Sequence, residues 1–189
     1  MNITVYCGAH SGKNYDYRQC AIQVGEWIAK NNNRLVYGAG RKGLMGLVAN
    51  TVLDAGGEVT GVMPRFLEKI ELAHSDLTEL IHVENMSERK RKMFELGDVF
   101  IALPGGAGTL EEIVEVISWS RLGQNDKPCI FFNENNFYDD IEAFYEKMTV
   151  DEFITREAKE KILFTTSFEE IDEFIKNYTP PSLVEPERD

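Results

Sequence analysis

The sequence predicts a doubly wound, Rossmann-like α/β domain with a mainly parallel sheet and helices on both faces. Three observations carry that prediction. Short apolar runs alternate along the chain with segments whose apolar residues recur at helical spacing, which is the βα repetition of a parallel sheet. Several runs are continuously Val, Ile, Leu and Phe, as strands covered on both faces are. Two glycine-rich turns stand at strand-to-helix junctions, where sheets of this kind receive ligands beyond the carboxyl ends of their strands.

Taken in order, strands are predicted near 2–7, 34–38, 58–63, 80–84, 98–103 and 128–132, and helices over 15–31, 44–55, 86–97, 109–122, 138–148 and 168–177. Leu35-Val36-Tyr37 leads into the turn Gly38-Ala39-Gly40-Arg41-Lys42-Gly43, and the third strand ends Val62-Met63-Pro64-Arg65. Residues 98–103 read as a buried strand. The helix that follows the next turn repeats Ile113, Val116, Ile117 and Leu122 at helical spacing, and Ser167-x-x-Glu170 opens the last helix as a capping box.

A length of 189 residues suits one domain over 1–178, with a loose tail at 179–189 that holds three of the six prolines. The formal charge of −12 argues against a general affinity for nucleic acid, which is built from Lys and Arg on phosphates. Cys7, Cys20 and Cys129 are odd in number, widely spaced and set in apolar surroundings, so they read as free core thiols of a reducing compartment and form no metal pattern. The amino terminus lacks a signal peptide's basic start and long apolar stretch, and no run is long enough to span a bilayer. The expectation is a cytoplasmic protein with no membrane partner.

The most informative segment is Leu103-Pro104-Gly105-Gly106-Ala107-Gly108-Thr109-Leu110-Glu111-Glu112. It joins a strand's carboxyl end to a helix's amino end, where free N–H groups and the positive end of the helix dipole favour an anion. Thr109-x-x-Glu112 also matches a capping box, but a box does not require three glycines in front of it. The segment therefore reads as a phosphate site with acid beside it.

The turn at 38–43 has the letters of a dinucleotide fingerprint, but the next strand ends in Arg65 rather than the acid that would hold a ribose, so NAD is disfavoured. That turn is expected to line the same cleft. The loop from Gly8 to Asn14 fails as a triphosphate P-loop, being one residue short and lacking the magnesium-binding hydroxyl, so ATP hydrolysis is not expected. Cys7 reads as a core thiol and His10 as incidental. In the basic cluster at 88–92, Met86, Arg89 and Met93 share one helical face, which puts a guanidinium on an apolar stripe in need of a carboxylate or phosphate. Glu112 is the candidate partner. Arg91 with Glu95 and Glu88 with Lys92 are expected as exposed i, i+4 pairs.

Met86-Ser87-Glu88-Arg89-Lys90 followed by the motif at 104–112 resembles the Lonely Guy family of cytokinin riboside 5′-monophosphate phosphoribohydrolases, often labelled lysine-decarboxylase-like. The resemblance runs from Val5-Tyr6-Cys7-Gly8 through Gly43-Leu44-Met45-Gly46 to Lys127-Pro128. It implies cleavage of a nucleoside 5′-monophosphate, AMP or prenylated AMP, by a homodimer that needs neither metal nor cofactor. It further implies Arg89 and Glu112 as the catalytic pair and Gly105, Gly106, Ala107, Gly108 and Thr109 as the phosphate cradle. Gly8, Gly40, Met86, Lys90 and Glu111 would be substrate contacts, with Glu71 or Glu68 as a ribose-binding acid. His10, Ala39 and Ser87 stand where the family usually has Ser, Gly and His. Decarboxylation is not expected, because nothing marks a Schiff-base lysine with a partner for a pyridine nitrogen. A nucleotide sensor or carrier without catalysis is the competing expectation.

Overall fold

A computed structural model describes residues 1–68 and 72–183. Seven strands form one sheet: β1 (Asn2–Tyr6), β2 (Arg34–Tyr37), β3 (Glu58–Pro64), β4 (Glu79–Val83), β5 (Val99–Ala102), β6 (Cys129–Phe132) and β7 (Ile162–Thr165). Their order across the sheet is β4-β3-β2-β1-β5-β6-β7, and every neighbouring pair is parallel. The helices are α1 (Tyr15–Lys30), α2 (Gly43–Asp54), α3 (Met86–Leu96), α4 (Ala107–Arg121), α5 (Asp139–Val150), α6 (Arg156–Glu160) and α7 (Phe168–Asn177).

The apolar strands are covered on both faces. On one side, Cys20, Val24 and Ile28 of α1, Leu44, Val48 and Val52 of α2 and Ile171 of α7 pack on Ile3, Val5, Leu35 and Ile101. On the other, Met93 of α3, Ile113, Val116 and Ile117 of α4 and Tyr145 of α5 pack on Tyr6, Val36, Phe100 and Phe131. Alternate residues of one strand feed the two layers, which is why the strands read as unbroken apolar runs.

Chain order reverses between β1 and β5, so their carboxyl ends form the switch point at which doubly wound sheets bind ligands. The two ends are tied directly: the Leu103 N–H donates to Tyr6 O at 2.9 Å and the Gly8 N–H to Pro104 O at 3.1 Å. Tyr138 reaches across from beyond β6, its buried hydroxyl donating to Leu103 O at 2.7 Å. From the α2 side, the Leu44 N–H donates to Gly8 O at 3.1 Å. Gly43 makes that approach possible, with φ +64° and a position where a Cβ would stand 2.3 Å from the Ala9 carbonyl.

The structure departs from the sequence expectation in several places. β7 and α6 are additional elements. α4 begins at Ala107 with Gly106 as its N-cap and no side-chain cap bond, so Thr109 is the third helical residue and the expected box at 109–112 does not form. The box at Ser167 is half present: its side chain accepts from the Glu170 N–H, while the Glu170 carboxylate is bonded to the Thr165 hydroxyl. Of the two expected i, i+4 pairs, Arg91–Glu95 forms at 3.0 Å. Glu88 instead turns back over the start of α3, accepting from the Glu84 N–H and from Asn85, while the N-cap Asn85 accepts from the Glu88 N–H. The carboxy-terminal segment is bonded to the body of the domain as far as Ser182. Ser182 donates twice to Glu157, and Lys161 donates to Thr179. Among the described residues no helix is long and apolar enough to cross a membrane.

Candidate active site

A cavity of about 510 Å³ opens over the switch point. Its floor is the pair of tied strand ends, through Val5, Gly8, Pro104 and Gly105, and α4 enters it end-on through Gly106, Gly108 and Thr109. The first N–H groups of α4 have no acceptor within the helix, and no acid stands in its first turn to offset the positive end of its dipole. At Gly106 and Gly108 an added Cβ would meet nothing within 4 Å. Packing therefore does not demand glycine at either position, and the bare backbone faces the cavity. Gly105 is different, since a Cβ there would stand 2.2 Å from the Thr109 hydroxyl.

Glu112 lies two residues beyond the first turn of α4 and also lines the cavity. Arg89 reaches the cavity from α3 and is only 4% exposed, as its place on the Met86–Met93 stripe predicts. Its Nη2 donates to Gly38 O at 2.7 Å. The guanidinium rests so closely on that backbone that a Cβ on Gly38 would fall 1.7 Å from Nη2. The second glycine turn thus has a physical purpose that the sequence does not disclose: Gly38 is the bed of Arg89.

Fields of opposite sign meet at the floor. Burial pushes the Cys7 thiol well above its ordinary value, Glu112 pushes it further, and Arg89 acts in the opposite sense. Tyr6 is likewise raised, first by burial and then by Glu112. Cys7 therefore stays a neutral thiol, as expected for a core residue.

Gly8, Met86, Glu111 and His10 line the cavity, the last despite its reading as incidental. Ala107 heads α4 but is not part of the lining. Gly40 is not a lining residue: of its turn Gly38 alone lines the cavity, and residues 39–41 pair with 72–74 through the Gly40–Ala73 bridge and the bond from the His74 N–H to Ala39 O. Ala39 has φ +63°, which accounts for the usual glycine there. Lys90 is not a lining residue; its ammonium meets Glu111, at the edge of the lining, and Glu115 on α4, at 2.7 and 3.2 Å. Glu68 faces His82 at 3.2 Å and is not a lining residue, and Glu71 lies outside the described residues. Ser87 is exposed on α3.

Sequence reasoning missed the apolar wall. Leu44 and Met45 come from the start of α2, while Tyr17 and Phe137 form an edge-to-face pair at 5.4 Å. Phe137 adjoins Tyr138, and only the position of both residues just after a strand end hinted at their place.

Fold and cavity together define a doubly wound α/β protein with a glycine-led helix terminus, a buried arginine and a carboxylate gathered at its switch point. The family described as "Possible lysine decarboxylase" matches residues 45–175. The cytokinin riboside 5′-monophosphate phosphoribohydrolase of Rhodococcoides fascians is 46% identical over 169 residues, covering 89% of this chain and 85% of that protein. One of the same name from Arabidopsis thaliana is 39% identical over 178 residues, covering 94% of this chain and 83% of that protein. The chain belongs to the Lonely Guy family of cytokinin riboside 5′-monophosphate phosphoribohydrolases. Among solved structures, the molybdenum cofactor binding protein of Rippkaea orientalis superposes with a TM-score of 0.69 at 22% identity, over 93% of this chain and 94% of that one. The molybdenum cofactor carrier protein of Chlamydomonas reinhardtii gives 0.70 at 16%, over 93% and 98%. These two share the fold.

Proposed function

We propose that this chain hydrolyses the N-glycosidic bond of a nucleoside 5′-monophosphate, AMP or its prenylated form, releasing the free base and ribose 5-phosphate. The observation that carries the reading is one cavity into which the bare amino end of α4, Glu112 and Arg89 all open. The names of the 46% and 39% identical relatives support it.

In this reading the N–H groups at 106–109 hold the phosphate and so fix the distance of the anomeric carbon from Glu112. As the bond from C1′ to the base nitrogen breaks, positive charge develops on the sugar ring, and the Glu112 carboxylate stabilises it or takes a proton from the attacking water. The water oxygen bonds to C1′, and the base leaves with the electron pair and gains a proton. Arg89, seated on Gly38 O, orients Glu112 and favours its ionised form. Leu44, Met45, Met86 and Met93 supply an apolar wall.

A cytoplasmic homodimer completes the proposal. The three cysteines are buried and unpaired, as a reducing compartment permits. Along α4, Val114 is exposed and Trp119 packs edge-on against Phe94 of α3, with Leu122 exposed just beyond the helix, a surface suited to a second copy.

The test incubates the protein with a panel of nucleoside 5′-monophosphates, prenylated AMP included, and separates released base by chromatography. Glu112→Gln is expected to keep nucleotide binding and lower turnover by roughly 10²–10⁴, the span of one positioned acid–base group. Unchanged turnover in that variant overturns the role of Glu112. Binding across the panel with no base released supports a carrier instead.

A further inference from the structure

We propose that Lys90 is a positioning residue that clasps α3 to α4 and thereby sets Arg89 and Glu112 at their working separation. This rests on the hydrolase reading above and assigns Lys90 a role other than the substrate contact that the family resemblance implies.

Arg89 and Lys90 are neighbours on α3, and their side chains part. Arg89 enters the cavity, whereas Lys90 does not line it and crosses to α4. There its ammonium donates to Glu111 at 2.7 Å and to Glu115 at 3.2 Å. Those carboxylates stand four residues apart, so they flank one turn of the helix and present a two-point grip. The Lys90 side chain is 16% exposed and that of Glu115 30%, so this arm is shielded more than an ordinary surface bridge, while the Glu111 carboxylate, 59% exposed, forms the outer arm. The Glu111 hydrogen bond holds the ammonium above its ordinary value, against the opposing effect of burial.

The consequence follows from adjacency. Glu111 precedes Glu112, and Lys90 follows Arg89, so the clasp joins the two helices one residue away from the two groups that the hydrolase reading sets at work. Sliding or rolling of α4 against α3 would stretch the clasp before it moved the pair far. Charge has a second part in the same place. Three carboxylates, Glu111, Glu112 and Glu115, fall within five residues, and the ammonium offsets the outer two, leaving Glu112 less crowded by like charge.

The experiment measures kcat and KM for base release with wild type, Lys90→Met, Lys90→Arg, the double variant Glu111→Gln/Glu115→Gln, and the triple variant combining that pair with Lys90→Met. Lys90→Met is expected to lower kcat about tenfold with KM within about twofold, since a misplaced pair loses transition-state stabilisation while ground-state binding persists. Lys90→Arg retains most of kcat, because a second cation spans the same two acids. The double variant loses as much as Lys90→Met, and the triple variant loses no more than either, the signature of one shared interaction. A raised KM in Lys90→Met with kcat intact would make Lys90 a substrate contact and overturn the proposal. So would additive losses in the triple variant, or a lowered melting temperature with kcat and KM unchanged. Absence of base release from the wild-type protein would instead strike the hydrolase reading itself.

Discussion

Adding one methyl group at Gly38 tests how the site is held together. Gly38 is not among the residues with left-handed backbone, so alanine suits its conformation. The obstacle is Arg89, to which the three nearest atoms all belong, with Nη2 at 1.7 Å, Cζ at 2.8 Å and Nε at 3.3 Å from the added Cβ. Ordinary contact begins near 3.4 Å, so the guanidinium must withdraw by about 1.7 Å and give up its bond to Gly38 O. Losing a buried hydrogen bond from a charged donor costs about 1.5–3 kcal/mol. At roughly 2–4 °C per kcal/mol in a chain of this size, the melting temperature should fall by about 3–12 °C. A displacement of this kind next to the reacting atoms lowers kcat/KM by about 10². The assays are base release from a nucleoside 5′-monophosphate and thermal denaturation of the same preparation. The decisive control is the same substitution in an Arg89→Ala background, where the methyl has room and should add less than about 0.5 kcal/mol. Wild-type kcat/KM and melting temperature in Gly38→Ala would refute the seating of Arg89 on this turn.

Two more outcomes are expected. Gly106→Ala places its methyl in open space before α4, so the fold should lose only about 1 kcal/mol, the usual preference of an N-cap for glycine over alanine. KM for the monophosphate should nonetheless rise about 10–100-fold, and an unchanged KM would remove the phosphate from this turn. Burial holds the thiols of Cys7, Cys20 and Cys129 above their ordinary values, the last two at about 12. In the unfolded chain the same thiols ionise near ~8.5, so as pH rises past that value the unfolded state loses protons first and stability falls. Melting temperatures at pH 7.5, 9 and 10.5 should decline above pH 9, and a flat profile would show that the thiols are not held as described.

Strong periodic signals were the legible ones. The first six strands and the long helices were legible because continuous apolar runs and helical stripes are local properties. β7 was not, being a four-residue strand that follows the charged α6 and contributes only Ile162-Leu163-Phe164-Thr165. Arg89 was legible as a buried charge because Met86 and Met93 lie on its face. Its bed was not, because Gly38 lies 51 residues away and a glycine turn does not name what rests on it. The template at 109–112 misled because a box can be matched by letters while the helix starts two residues earlier, where Gly106 leaves its N–H groups to the cavity. Glu88 misled in the opposite way: an i, i+4 partner was available, but the unsatisfied N–H groups at the start of α3 were nearer.

The tie between the ends of β1 and β5 has a consequence for how the molecule is made. Asn2 bonds to Asp98 and Tyr6 O receives Leu103, so β1 waits on the ribosome for a neighbour almost a hundred residues behind it. At 5–20 residues per second, Gly8 precedes Glu112 by roughly 5–20 s. During that interval one side of β1, which carries Ile3, Val5 and Tyr6, is an open edge, a template for pairing with other nascent chains. Slowing translation across 38–98 should lengthen the exposure and lower the folded yield of a protein whose finished form is unaltered.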